Sequence, residues 1–153
     1  MNVKPILLPA VAATSLMTIS SYIVSHIASK NFSEPELLGR IEKRLLQVSK
    51  KTTLPAGWLT HYTVGVALTC IYSILSNKKI NNSSTLKNGL AFGALSGVSA
   101  IIAWKLALQV LPKRSQRFYI KYYAQLFLVH FVFAFGVVLT QKALQKKRAL
   151  TYR

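Results

Sequence analysis

The chain has 153 residues, 52% of them hydrophobic, and carries 20 Lys and Arg against 3 acidic residues, for a formal charge of +17. Charged residues make up 15% of it, well under the roughly 25% usual in a globular protein, and nearly all are cations gathered between long uncharged runs. This excludes a disordered basic tail, which would lack Leu, Ile, Val and Phe, and a soluble nucleic-acid binder, whose cations would line one face of a packed domain.

The pattern predicts a single all-α membrane domain over residues 1–153, with four antiparallel spans. The spans fall near 6–28, 58–76, 86–111 and 119–140. The first begins at Pro5 and Pro9, where a missing N–H is cheap because the first helical donors have no intrahelical partner. It reads as a retained helix: its apolar run exceeds the ~7 to 15 residues of a signal peptide, and no A-x-A site follows. The connection 31–57 contains an amphipathic helix over about 34–48. Ser33 and Glu36 form a capping box, Pro35 sits in the first turn, and Glu36 can pair with Arg40. Leu37, Leu38, Ile41, Leu45 and Val48 make its apolar stripe. That stripe either faces acyl chains in the interface or packs across the ends of the bundle. Lys50–Gly57 then reads as the turn into the second span. The second connection, Asn77–Thr85, turns at Asn81-Asn82-Ser83-Ser84, and the third, Pro112–Phe118, is basic. Short connections place both termini on one side, while nearly balanced Lys and Arg leave the orientation open.

Helices in a bilayer associate through close packing and hydrogen bonds, which favours small residues at contacts. Gly89, Gly93 and Gly97 recur every four residues on the third span, as either an oligomer seam or a contact within the chain. Span one offers a weaker row of Ser21, Ser25 and Ser29. On the fourth span Tyr119, Tyr123, Phe127, Phe131 and Phe135 form an aromatic ladder, read chiefly as packing surface.

Ionisable residues inside a membrane are expensive and mark candidate sites. His26, His61, Lys105 and His130 stand out, with Gln125 as a further buried polar candidate. Lys105 can snorkel to the interface, His26 and His61 are shallow, and His130 lies deepest. A neutral imidazole bonded to a backbone carbonyl or a Ser accounts for His130 structurally. No cofactor is expected. Haem between His residues on facing helices is the one candidate the His set allows, although their depths are mismatched. A zinc site from three His is allowed by ligand type but lacks the usual i, i+4 spacing and a membrane carboxylate, so no metal is expected, and Cys70 alone permits no internal disulfide and no Cys-based zinc site. All three acids, Glu34, Glu36 and Glu42, lie in the first connection, so catalysis and proton-coupled export lack their carboxylate.

MTISSY in span one, GWLTHYTVG opening span two and YYAQLFLVHFVFAFG in span four resemble segments of uncharacterised small four-helix bacterial integral membrane proteins. The resemblance implies an architecture and a bacterial inner membrane, and no activity. The expectation is therefore a non-enzymatic structural or interaction subunit in contact with lipid and anionic headgroups, pairing with itself or with a membrane protein partner. The alternative is a small transporter or ligand-binding protein built around His130, and a third reading is a haem- or quinone-binding subunit.

Overall fold

The computed structural model describes residues 4–79 and 84–151, so most of the expected turn Asn81-Asn82-Ser83-Ser84 lies outside the described residues. Five α-helices follow one another: α1 (Lys4–Ile27), α2 (Glu34–Leu46), α3 (Thr53–Lys79), α4 (Thr85–Ala107) and α5 (Gln116–Thr151). A 3-10 turn, Leu108–Val110, extends α4. Four of the helices, all but α2, are long and apolar enough to cross a membrane. Their outward residues, such as Leu16 and Ile23 on α1, Leu59 and Ile74 on α3, Leu95 and Ile102 on α4, and Leu128 on α5, are large, apolar and exposed. That is the surface a bilayer wets.

Helix ends differ from the sequence expectation where local bonding decides. Residues 53–57, expected as a turn, are already helical, because Ser49 accepts from the backbone N–H of Thr52 and Thr53 and starts the helix early. At 36 residues and 1.5 Å of rise, α5 is about 54 Å long, well beyond a hydrocarbon core of ~30 Å, and so runs past residue 140. The α2 helix stops at Leu46, with Gln47 in the left-handed region at φ 54°, a common helix stop.

The capping box does not form. Ser33 makes no side-chain cap bond, and its hydroxyl is buried without a partner. Instead Asn31 Oδ1 accepts from Ser33 N–H at 2.9 Å, and the Asn31 side-chain amide donates to Glu36. Glu36 still pairs with Arg40, at 4.0 Å. The α2 stripe is divided between the two placements: Leu37 and Ile41 are buried where the helix packs on α3 and on the 3-10 turn, while Leu45 and the adjacent Leu46 stay exposed.

Helices pack in the sequence α3 on α1, α1 on α5 and α5 on α4. Half of α5's apolar window is buried, against 22% for α3 and α4, so α1 and α5 form the spine. The α4–α5 seam joins two stripes legible in the sequence. A Cβ at Gly93 would lie 2.6 Å from Phe131 Cδ1 and one at Gly97 2.8 Å from Phe127 Cδ2, while Gly89 faces Phe135. Each Phe occupies the space a larger residue would take, as small-residue packing in membranes requires. The oligomer-seam alternative for Gly89, Gly93 and Gly97 is thus corrected: α5 of the same chain already covers the stripe.

Candidate functional site

The first connection does not run over the surface. Ser29 turns the chain with φ 48°, Ser25 Oγ accepts from Phe32 N–H at 3.0 Å, and Phe32 is 1% exposed, its ring 5.6 Å from Phe118 and 6.0 Å from Tyr122. Burying this ring removes a large apolar surface from water. It also draws the next residues inside, and Glu34 becomes 1% exposed. Ser21 Oγ donates to Glu34 Oε1 at 2.7 Å, and Gln125 Nε2 reaches both Ser21 Oγ at 2.6 Å and Glu34 Oε1 at 3.3 Å. Glu34 Oε2, Gln125 Oε1 and the Tyr122 hydroxyl are buried without partners. Burial raises the Glu34 carboxyl above its ordinary value, and the bonds from Ser21 and Gln125 only partly oppose this, because desolvation disfavours the charged form.

Glu34 lies on the wall of a cavity of about 260 Å³. Its other polar lining comes from Thr14 on α1, His61 on α3, Ser96 and Ser99 on α4 and His130 on α5, and its apolar lining includes Met17, Leu38, Trp104 and Phe133. Tyr72 on α3 meets Phe92 on α4 with ring centroids 4.9 Å apart and planes tilted by 49°. Val64 on α3 and Ser99 and Ala103 on α4 line the cavity while being exposed, so it opens sideways between these helices.

Hydrogen-bond directions fix what the imidazoles present. Leu126 carbonyl can only accept, so His130 Nδ1 is the donor in the 2.7 Å bond between them. In a neutral ring Nε2 then carries a free lone pair. Thr18 gives its single hydroxyl hydrogen to Thr14 O at 2.7 Å. It must therefore accept from His61 Nε2–H, 2.9 Å away, and His61 Nδ1 is left with the lone pair. Each ring thus keeps one lone pair that these bonds do not use, and the Glu34 carboxyl on the same cavity wall is held towards its protonated form.

Among the expected site residues, His61 and His130 come together on the cavity, and Gln125 sits behind it on Glu34. His61, expected at headgroup depth, is 6% exposed and bonded to Thr18. His26 is exposed at the end of α1, and Lys105 is exposed on α4 away from the lining; neither belongs to the site. Glu34 is the residue sequence reasoning missed. The inference that no carboxylate reaches the interior is corrected, because Phe32 and Pro35, both buried, flank it and carry it in. Among the described residues no three His, Cys, Asp or Glu side chains converge as metal donors. Comparison with protein-family models, curated proteins and solved structures finds no match.

Proposed function

We propose that the protein is a non-enzymatic ligand-binding membrane protein that takes a lipid-soluble small molecule, sideways from the bilayer, into the cavity between α3 and α4. The observation that carries this reading is the placing of two imidazoles, each with an unused lone pair, and a buried carboxyl on the largely apolar wall of one cavity. A few placed polar groups in an apolar cavity are the usual makings of a small-molecule site. Two acceptors favour a ligand that brings O–H or N–H donors, such as a quinol, a phenol or a long-chain amine. A carboxyl that can hold or release its proton suits the same ligand. At about 260 Å³ the cavity sits just below the ~300–1,000 Å³ of drug-sized sites. It suits a single ring with its tail left in lipid better than a haem macrocycle.

The subunit reading loses its main support, since α5 covers the glycine stripe. Thr18 and His61 resemble a nucleophile and its base, yet Thr18's hydrogen is already given to Thr14 O, so His61 has no proton to take from it. We assign the protein to a bacterial cytoplasmic membrane on the sequence resemblance and on helical, not barrel, spans.

In the Trp58→Phe protein, Trp104 on the cavity wall becomes the sole indole. Its emission, in lipid nanodiscs, is titrated with decyl-hydroquinone and with the dimethyl ether of that compound, which has no donors. A saturable change with the hydroquinone, absent with the ether and weakened about tenfold or more by His130→Ala with folding retained, is the expected result. Equal responses to both compounds, or none to either, would contradict the reading. A His130→Ala protein that unfolds would make the imidazole structural; His130→Gln then repeats the titration.

A further inference from the structure

A second concave region lies on the other side of α2. Two adjoining clefts of about 440 and 420 Å³ share Leu37, Arg40, Arg114 and Phe118. Lys43 and Arg44 extend the first, while Lys30, Arg117 and Lys121 extend the second. Seven cations thus border one region built from α2, the basic connection and the start of α5. Within it the only carboxylate in ion-pair range, among the described residues, is Glu36, 4.0 Å from Arg40 at the edge of contact. The other two acids are spent elsewhere: Glu34 on Ser21 and Gln125, and Glu42 on Thr60.

All seven cations are exposed, and two of them have side-chain partners, Arg40 on Glu36 and Arg114 on Phe118. Arg114 stands over the Phe118 ring at 5.7 Å, and its backbone N–H donates to the Tyr119 hydroxyl at 3.1 Å. Arg40 projects from a helix whose neighbouring residues Leu37 and Ile41 are buried. Two guanidinium groups from separate elements border both clefts, with Leu37, Leu108 and Phe118 as apolar lining, and planar guanidinium donors suit phosphate oxygens. We infer that this double cleft is a binding site for a phosphate-bearing anion, independent of the cavity between α3 and α4. An apolar floor beside the cations fits the glycerol and first acyl carbons of an anionic phospholipid, and a water-soluble phosphate ester shares the same headgroup chemistry.

Native mass spectrometry of the detergent-solubilised full chain, offered dioleoyl phosphatidylglycerol, dioleoyl phosphatidylcholine or glycerol 3-phosphate, tests this. The expected result is a preference for phosphatidylglycerol over phosphatidylcholine of about tenfold. It should be lost in Arg40→Gln/Arg114→Gln and kept in Lys87→Gln/Lys146→Gln, which removes the same charge from the opposite end. The Arg40→Lys/Arg114→Lys protein keeps charge without the planar guanidinium donors and should fall between. Displacement of the lipid by glycerol 3-phosphate, or binding of that ester without a lipid preference, supports the phosphate site with a soluble source. Equal binding of both lipids with no uptake of glycerol 3-phosphate would overturn the proposal, as would equal loss in the two charge-neutralised proteins.

Discussion

At the scale of single residues, Glu34 concentrates the account. Its folded-state carboxyl is raised by burial, so over the range from its ordinary value of about 4.5 up to the raised one the folded protein holds a proton that the unfolded chain has released. Stability linked to this group is therefore complete below about pH 4.5 and declines as pH rises through the raised value. Glu34→Gln mimics the protonated form and should flatten the decline. Thermal unfolding of the detergent-solubilised proteins from pH 4 to 8 should show melting temperatures that converge at the acid end and diverge upward, with the variant the more stable at high pH. A parallel offset across the whole range would mean that the carboxyl does not titrate with folding. None of this was legible from local rules. Ser33 and Glu36 carry a capping signature, but the partner that fixes Glu34 is Ser21 on another helix, and what brings it there is the burial of Phe32.

Between elements, close approach is controlled by glycine, and its cost can be read from what a methyl group would meet. A Cβ at Gly57 would run into the backbone carbonyl of Pro35 and the backbone of Gly39, so α2 and α3 would have to part. A side chain at Gly93 meets Phe131, which is flanked by Phe127 and Phe135 on the same seam. Gly57→Ala and Gly93→Leu should each cost on the order of 1–3 kcal/mol through overpacking, read as a fall in melting temperature. Gly57→Ala should also weaken hydroquinone binding, since α2 carries Glu34 and Leu38 of the cavity wall. Retention of both stability and binding would mean that the contacts are looser than they look. The Gly and Phe stripes, with periods of four, were visible in the sequence as separate signals. Their mutual register, Gly89 to Phe135, Gly93 to Phe131 and Gly97 to Phe127, was not, because periodicity gives the face of a helix and not the helix it meets. Gly39 and Gly57 escaped for a plainer reason: neither belongs to a repeat.

On the scale of the whole molecule, the apolar runs and short connections were sufficient to place four long apolar helices, and the structure has four helices long and apolar enough to cross a membrane, with ends moved by a few residues to about a dozen. What the sequence left out is how the spans share their polar groups. One apolar cluster gathers Met17, Tyr72, Phe92 and Phe133, and another gathers Phe32, Trp104, Tyr122 and Leu126. The cavity touches both, through Met17 and Phe133 on one side and Trp104 on the other. A chain with three acids has brought one of them to the wall of a cavity that two imidazoles also line and that opens between α3 and α4. The cost of an unpaired charge there is avoided if the carboxyl keeps its proton, and that ties the architecture to the proposed binding.

The infrared spectrum of the protein in lipid, recorded against pH for the wild type and for Glu34→Gln, tests this most directly, since only three side-chain carboxyls contribute. The account predicts a protonated-carboxyl band that persists above pH 4.5, is missing from the variant and shifts when decyl-hydroquinone is added. A band that titrates away in the ordinary carboxylate range, or is the same in both proteins, would contradict a carboxyl buried on the cavity wall.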